Sequence, residues 1–246
     1  MNLIEKIMIK EYKTHWSVPD NIGYFISSNE KGHSKNQYKY ANFSFNVGDN
    51  KNAVKSNINE LKNLYSINNI AFMNQLHTNK TRKLIYYKNY TNVDGVYTSN
   101  KKIACAVLTA DCIPLLITDR LGSFIGCIHA GWRGLKSNII ENFFDNTFFK
   151  KRSDLKVLIG PSISKDMYEV GSDILSSFSE HTSYFKYNNS GKYNMDIKNI
   201  AHDILHKIGI TDVTISPACT YKDDRLFSYR KNKITGRFIS LIWFKR

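Results

Sequence analysis

The sequence predicts an α+β fold in which mixed β-sheets carry helices on their outside. Short apolar runs typical of buried strands alternate with stretches whose apolar residues recur at the spacing of an amphipathic helix. The two kinds of element are interleaved without the strict alternation of a βαβ protein. The 246 residues include only four prolines, and no Ser/Gly-rich stretch or internal repeat is visible. We therefore expect residues 1–246 to form a single domain.

The first clear element is a helix at residues 51–65, which follows a polar start at 49–50. Its apolar residues lie at helical spacing, at Val54, Ile58, Leu61 and Tyr65. Three apolar runs, each bounded by polar residues or glycine, then predict strands buried on one or both faces, at residues 103–108, 113–118 and 124–129.

After Gly134 the apolar residues change to a helical period, which predicts one helix with a single apolar stripe over residues 135–148. A further strand at 155–159 ends in a Gly-Pro pair. The remaining predicted elements are helices at 170–178 and 197–208 and a closing strand at 238–244.

Composition favours a soluble, cytoplasmic protein without a membrane partner. Residues 1–16 mix lysine and glutamate with apolar residues, unlike a secretory signal, and no apolar run approaches the ~18 to 20 residues of a membrane span. The cysteines lie in apolar contexts of a chain too long to need disulfides, so we expect reduced thiols at Cys105, Cys112, Cys127 and Cys219.

A formal net charge of +14 raises the question of nucleic-acid binding. The lysines are scattered along the whole chain, only eight residues are arginine, and no basic helix, zinc knuckle or aromatic RNA-binding signature is present. This pattern disfavours nucleic acid as the main partner. Attraction of anionic small molecules is the better explanation of the charge.

The residues with the clearest chemical potential lie in two short runs, 109–112 and 129–134. Cys112 follows Asp111 at the junction of two predicted strands, where Pro114 indicates an irregular turn that can project a side chain into a cavity. His129 ends a strand and is followed by Ala-Gly-Trp-Arg-Gly, which leads into a helix. The ordinary alternatives are a small buried thiol at Cys112 and a structural histidine at His129.

Arg133 and the helix start behind it are candidates for holding an anion. A guanidinium grips phosphate or carboxylate through two parallel hydrogen bonds, and the free N–H groups of a helix start attract negative charge. His77 is a third candidate ligand. Together, His77, Cys112 and His129 offer two imidazoles and a thiolate, which is a three-ligand set for zinc that leaves one position open.

The spacing of these three residues, 35 and then 17 positions, matches no zinc finger and suits a catalytic site assembled by the fold. Zinc deaminases of the cytidine type provide a contrast, because they need His-x-Glu followed by Pro-Cys-x-x-Cys. Neither motif occurs here. If the protein deaminates a substrate, another group must move the proton, and Asp111 is the nearest acid in sequence.

These runs, with others, resemble the purine nucleoside phosphorylase family once described as laccase-domain, polyphenol oxidase or multicopper oxidase proteins. The matching segments lie in order from about residue 42 to the end of the chain, at residues 75–77, 94–96, 106–114, 129–134, 159–163, 168–170, 219–221, 227–230 and 235–237. Several of them are rare strings, so a chance similarity is excluded.

The resemblance implies a single-domain zinc protein of mixed layered fold whose metal is held by His77, Cys112 and His129. It also implies phosphorolysis of adenosine, inosine and S-methyl-5'-thioadenosine, together with adenosine deamination. Purine nucleosides and inorganic phosphate would then be the partners. We expect His77, Asp111, Cys112 and His129 to be catalytic. We expect substrate or phosphate to be bound by Asn42, Gln75, Arg133 and Arg230.

Two positions depart from the family pattern. Asn29 and Ile58 stand where relatives usually have arginine, so phosphorolysis is expected to be weaker here if either arginine grips phosphate. Lys31 is a candidate substitute, as a less directional cation. The three proposed metal ligands are unaffected.

Three alternatives to the purine nucleoside enzyme stay open at this point. The first is a cytoplasmic hydrolase that edits peptidoglycan precursors. The second is a copper-dependent phenol oxidase, since two His and one Cys resemble a blue-copper ligand set, although none of the seven histidines forms a His-x-His pair. The third is a basic nucleic-acid-binding module whose Cys and His are structural, which predicts a steep salt dependence of affinity.

Overall fold

The computed structural model describes residues 9–145 and 151–245. The strands are β1 (Ile22–Ile26), β2 (Asn69–Ala71), β3 (Thr81–Lys83), β4 (Gly95–Thr98), β5 (Ile103–Thr109), β6 (Ile113–Asp119), β7 (Ile125–Ala130), β8 (Leu155–Ile159), β9 (Glu169–Val170), β10 (Phe185–Tyr187), β11 (Tyr193–Met195), β12 (Asp212–Ile215) and β13 (Phe238–Phe244). The α-helices are α1 (Lys51–Leu64), α2 (Trp132–Lys136), α3 (Ile139–Asp145), α4 (Ser172–Ser176) and α5 (Ile197–Lys207).

The strands form two large mixed sheets and one small sheet. The first has the order β1-β13-β5-β2, the second β12-β8-β6-β7-β4-β3, and the small antiparallel sheet β10-β11-β9. In the first sheet β5 pairs antiparallel with β13 and parallel with β2. In the second, β6 pairs antiparallel with both neighbours, whereas β8 and β12 are parallel. The predicted α+β class with mixed sheets is confirmed.

The two large sheets pack face to face, and helices cover their outer faces. Alternate side chains of β6 point to opposite faces, so Leu116 enters the core between the sheets while Ile117 packs beneath the outer helices. Helices α3 and α5 bury Phe143 and Ile200 against that outer face. On the other side, α1 buries Leu61 against the first sheet. Each sheet is therefore covered on both faces, as its nearly continuous apolar strands predict.

The predicted helices at 51–65 and 197–208 agree with α1 and α5 to within one residue at their ends. Helix α1 starts where the polar pair indicates, because the side chain of Asn50 accepts hydrogen bonds from the backbone N–H groups of Asn52 and Ala53. The predicted strands at 103–108, 113–118, 124–129, 155–159 and 238–244 correspond to β5, β6, β7, β8 and β13.

The single helix predicted at 135–148 is wrong. The structure has two shorter helices, α2 and α3, separated where Asn138 adopts a left-handed φ of 63°. Asparagine tolerates that conformation, which ends a helix although the apolar spacing continues. The end of the predicted element, including Phe148, lies outside the described residues. The helix predicted at 170–178 shortens to α4, because Val170 pairs with Tyr193 in the small sheet.

The connection from β5 to β6 carries the chain from the first large sheet into the second. It comprises only residues 110–112, so Asp111 and Cys112 lie at the edge of the space between the sheets. In the described parts of the chain, no helix is both long enough and apolar enough to cross a membrane.

Candidate metal centre and active-site cavity

His77, Cys112 and His129 meet at the β5–β6 crossing. One ligand atom from each lies within 4.8 Å of those of the other two. The Cys112 Sγ atom is 3.9 Å from His77 Nε2, and the two imidazole rings meet edge to face with centroids 4.7 Å apart. Residues separated by 35 and 17 positions in sequence thus form one cluster of two nitrogen ligands and one sulfur ligand, which are the donor types that zinc and copper prefer.

Backbone geometry places each of the three side chains. Cys112 follows Asp111, whose φ of 98° lies in a region that non-glycine residues rarely adopt, and this sharp turn aims the thiol at the cluster. His129 is the penultimate residue of β7 and is buried. His77 lies in the loop after β2, with a φ of 59°, and is exposed to the cavity side.

A buried carboxylate, Asp94, connects the two histidines. Its Oδ1 atom accepts hydrogen bonds from His129 Nδ1 at 2.8 Å and from the backbone N–H of His77 at 3.1 Å. Its Oδ2 atom accepts from the backbone N–H and the hydroxyl of Thr78, each at 2.7 Å. Asp94 was not among the predicted site residues, although it belongs to one of the quoted family segments.

The contact with Asp94 leaves His129 Nε2 for a metal, the arrangement in which a carboxylate fixes the tautomer and orientation of a histidine ligand. Burial opposes ionisation of Asp94, but the hydrogen bonds from His129 and Thr78 outweigh it and the pKa of Asp94 is lowered. The carboxylate is therefore charged, and it favours positive charge on the cluster side of the imidazole.

The thiol of Cys112 is held as a thiolate. Burial opposes its ionisation, but the adjacent His129 and His77 rings lower the pKa of Cys112. Burial likewise opposes protonation of His129, and the charges of Cys112 and Asp94 outweigh it and raise the pKa of that imidazole. A thiolate and an imidazole in contact can both bind a divalent metal ion in place of the proton that they otherwise share. The residues present therefore fit a metal ion.

Gly131 gives the cluster its space. A Cβ atom at this position would lie 3.0 Å from Cys112 Sγ and 3.1 Å from His77 Cδ2. The absence of a side chain lets the backbone at the start of α2 approach two ligands closely.

The cluster forms the floor of a cavity of about 660 Å³, a volume typical of small-molecule sites. Four cations line it: Arg133, Arg230, Lys233 and Arg237. Among the described residues that line the cavity, Asp111 is the only acid. The cavity is therefore strongly attractive to anions.

Asp111 is held by two other loops. Its Oδ1 atom accepts a hydrogen bond from the Thr220 hydroxyl, and its Oδ2 atom accepts one from the backbone N–H of Arg230, both at 2.6 Å. We expected this acid to move a proton. Because both of its oxygens are engaged within the protein, the geometry instead favours a role in positioning the turn that carries Cys112.

Asn42 and Gln75 are also engaged within the protein. Asn42 is fully buried and does not occur among the described residues of the cavity wall. Its side chain binds the backbone of Ser44 and accepts from the backbone N–H of Arg237 at 2.9 Å. Asn42 therefore supports the Arg237 backbone in this structure, and its predicted contact with substrate stays a prediction. Gln75 lines the cavity, but its amide exchanges two hydrogen bonds with the backbone of Leu108.

Arg133 and Arg230, in contrast, present their guanidinium groups to the cavity. The Cζ atom of Arg133 lies 4.4 Å from the centre of the Trp132 ring, and that of Arg230 lies 5.2 Å from the centre of the Tyr168 ring. Arg230 also donates to the backbone oxygen of Glu169 at 2.8 Å. The helix start behind Arg133 belongs to α2, which has only five residues, and the anion site expected there stays a prediction.

The two departures from the family pattern lie away from this cavity. Among the described lining residues, neither Asn29 nor Ile58 occurs, and the suggested substitute Lys31 does not occur either. Asn29 binds the backbone oxygens of Asp224 and Arg225, and Ile58 packs beside the core under α1. The expectation that these changes weaken phosphorolysis stays a prediction.

Sequence reasoning missed Tyr168, Tyr229, Lys233 and Arg237 as cavity residues. Three of them belong to quoted family segments, which was the available signal, but nothing local indicated that their side chains meet. A second cavity, of about 750 Å³, lies around Trp243 and the first residues of β5, at the opposite end of that strand, and contains no member of the cluster.

The fold and the site together define a mixed two-sheet protein with a His/Cys cluster at the floor of a cationic cavity. The family model described as "Multi-copper polyphenol oxidoreductase laccase" matches residues 23–245. The chain belongs to this family.

Related sequences and a related crystal structure match nearly the whole chain. The chain is 34% identical over 239 residues to a Haemophilus influenzae protein named purine nucleoside phosphorylase, covering 94% of this chain and 98% of that one. It is 29% identical over 245 residues to purine nucleoside phosphorylase YfiH of Escherichia coli, covering 96% and 99%. A crystal structure of a Neisseria meningitidis protein superimposes with a TM-score of 0.88 at 32% identity, covering 94% and 98%.

Proposed function

We propose that this protein is a purine nucleoside phosphorylase that cleaves adenosine, inosine and S-methyl-5'-thioadenosine. The observation that carries the proposal is the cation-lined cavity above His77, Cys112 and His129. The names of its relatives supply the substrate class. Phosphate is anionic and the leaving purine gathers negative charge, so both reactants need preorganised positive charge and hydrogen-bond donors.

In this reaction an oxygen of inorganic phosphate forms a bond to C1′ of the ribose while the bond from C1′ to the purine nitrogen breaks. The electron pair of the broken bond leaves with the base, which then takes up a proton. We assign the phosphate to Arg133 and Arg230, whose guanidinium groups can bind its oxygens in pairs. The aromatic rings beneath them fix the direction of each guanidinium.

Tyr168 is suited to the leaving base. Burial and the nearby Cys112 charge raise the pKa of its phenol, so the hydroxyl stays protonated. Its ring is held between Arg230 and the apolar core. We propose that the Tyr168 O–H donates a hydrogen bond to the departing purine.

We assign zinc to His77, Cys112 and His129, with Asp94 orienting the second histidine. Zinc in this position supplies Lewis-acid polarisation of a bound group. Copper is the second candidate, in view of the description of the family model. A multicopper cluster needs several sets of ligands. Within residues 9–145 and 151–245, one group of His, Cys, Asp or Glu side chains that could hold a metal ion is found.

Adenosine deamination is a second candidate activity. Three protein ligands leave one position of a tetrahedral metal open, which is the arrangement of catalytic zinc sites. In that reaction water adds to the purine C6 and ammonia leaves, giving inosine. Because Asp111 already accepts two hydrogen bonds, we do not assign the proton transfer to it.

The experiment is an incubation of purified protein with adenosine, with and without inorganic phosphate, in which adenine, inosine and hypoxanthine are separated. Phosphate-dependent adenine supports the phosphorylase, and phosphate-independent inosine supports the deaminase. Cys112→Ser should abolish either product. Cys105→Ala is the matched control, because Cys105 is a fully buried thiol of β5 outside the cavity.

Metal analysis of the same two variants and the wild type distinguishes zinc from copper. Zinc bound in the wild type and in Cys105→Ala, but lost in Cys112→Ser, is the expected result. If metal-loaded protein releases neither product from adenosine, the purine proposal fails. Peptidoglycan precursors are then the next substrates to test.

A further inference from the structure

The four cations of the cavity are arranged as two pairs. Arg230 lies over the ring of Tyr168, and Arg133 is close enough to act electrostatically on the same phenol. Lys233 and Arg237 both lie over the ring of Tyr229, with the Lys233 Nζ atom 4.8 Å and the Arg237 Cζ atom 5.7 Å from its centre. We call Lys233 and Arg237 the second cation pair.

Arg237 lies close enough to Cys112 and Asp111 to interact with them electrostatically. Burial, the largest influence, lowers its pKa, and the charges of Cys112 and Asp111 act in the opposite direction. Its Nη1 atom donates to the backbone oxygens of Thr235 and Gly236 at 3.0 Å and 2.9 Å. These contacts hold the guanidinium in place and leave its other N–H groups for a ligand.

The second cation pair has no acidic partner. Within the described parts of the chain, neither Lys233 nor Arg237 forms an ion pair, and both oxygens of Asp111 already accept hydrogen bonds from other groups. A half-buried guanidinium that forms no ion pair is stabilised when an anion completes the site. One inorganic phosphate on Arg133 and Arg230 leaves this second pair without an anion.

We propose that the cavity binds a purine nucleoside that itself carries a phosphate group, a nucleoside monophosphate, and that Arg237 and Lys233 hold that group. This inference rests on the proposed function, because it takes the Arg133 and Arg230 pair as the site of inorganic phosphate. A cavity of about 660 Å³ lies within the range of sites for ligands of this size. The exposed Tyr229 ring between the cations adds an apolar surface beside the anion.

The test is equilibrium binding of adenosine and of adenosine 5'-monophosphate by calorimetry, with zinc-loaded protein in a buffer free of inorganic phosphate, so that phosphorolysis does not consume the ligand. Wild type should bind the monophosphate at least about tenfold more tightly than adenosine, as expected for hydrogen bonds between charged groups. Arg237→Met and Lys233→Met should each reduce this preference by at least about fivefold while affinity for adenosine changes less than about twofold.

Arg225→Met is the matched control. Arg225 also lies over a tyrosine ring, 4.9 Å from the centre of Tyr12, but it pairs with Asp223 outside the cavity. It should keep the full preference for the monophosphate. Lys233 is exposed, so its variant tests the proposal even if loss of Arg237 prevents folding.

Equal affinity for adenosine and its monophosphate in the wild type overturns the proposal. Survival of the preference in Lys233→Met and Arg237→Met also overturns it. If phosphate-dependent cleavage of adenosine occurs while the monophosphate shows no advantage, this inference fails and the proposed function stands. If no cleavage occurs but binding of the monophosphate depends on Arg237, the second cation pair is supported and the phosphorylase proposal fails.

Discussion

Asp94 Oδ1 lies 2.8 Å from His129 Nδ1, and sheet register brings the two residues together. Strand β4 pairs antiparallel with β7, with Gly95 opposite Ile128. Asp94 precedes Gly95 and His129 follows Ile128, so the next position of the same register places the carboxylate beside the imidazole. The backbone N–H of His129 also donates to the backbone oxygen of Asp94, at 2.7 Å.

Asp94→Asn should weaken metal binding by about 10- to 100-fold, the usual cost of losing a carboxylate behind a histidine ligand. The amide can still hydrogen-bond, but it carries no charge and does not fix the same tautomer. Competition with a chromophoric zinc chelator measures the change. Asp119→Asn is the control, because Asp119 is also buried and binds Ser123 in a turn at the far end of β6. Equal loss in both variants would contradict the assigned role.

Gly131→Ala should reduce metal affinity with little loss of stability. Its φ of −78° suits any residue, so no backbone strain arises, but the new Cβ would press on Cys112 Sγ and His77 Cδ2. The measurements are chelator competition and thermal unfolding without metal. Gly171→Ala is a close control, since Gly171 has a φ of −79° at the start of α4 and its nearest neighbour is the flexible side chain of Asp173. Unchanged affinity in Gly131→Ala would show that the ligands tolerate a methyl group.

Removal of zinc with a chelator should lower the Tm of the wild type. A ligand present at about 100 times its Kd stabilises a protein by about 2.7 kcal/mol, which corresponds to roughly 5 to 10 °C for a chain of this size. Scanning calorimetry before and after chelation measures the shift. The Tm of Cys112→Ser should not respond to the chelator. A shift of equal size in that variant would place the stabilising ion elsewhere.

Lys198 should make stability depend on pH in the alkaline range. Its ammonium group is buried and donates to the backbone oxygens of Ser216 and Ala218 at 2.8 Å and 2.6 Å. Burial lowers its pKa from 10.5 to about 8. Between these values the unfolded chain binds a proton that the folded protein does not, so the contribution of Lys198 to the free energy of unfolding rises with pH, by about 3 kcal/mol at most.

Urea unfolding between about pH 7 and pH 10 tests this linkage. The difference in free energy of unfolding between wild type and Lys198→Met should grow in favour of the wild type as pH increases. Lys156→Met, which removes a lysine paired with Asp212 near the surface, provides the comparison. A difference between wild type and Lys198→Met that stays constant over this range would refute the linkage.

Much of the fold was predictable because local patterns decide it. The polar start at Asn50 and the spacing of Val54 and Leu61 specify α1. The apolar runs of β5, β6 and β7 specify strands buried on both faces. The break at Asn138 was not predictable from period alone, since the apolar stripe continues across it and only the backbone conformation of one residue interrupts the helix.

By itself, the sequence determined the family, the α+β class and most strand and helix positions, because each depends on residue type and short spacing. The three candidate metal ligands, 35 and 17 positions apart, were identified from residue type and from the family segments. Tertiary structure decided which groups meet. The register of β4 on β7 makes Asp94 the partner of His129, and hydrogen bonds from distant loops engage both oxygens of Asp111. The pairing of Lys233 with Arg237 on Tyr229 likewise depends on side-chain directions. The contacts of Asp94 and Asp111 join residues far apart in the chain, so only packing of the whole fold brings them within hydrogen-bonding range.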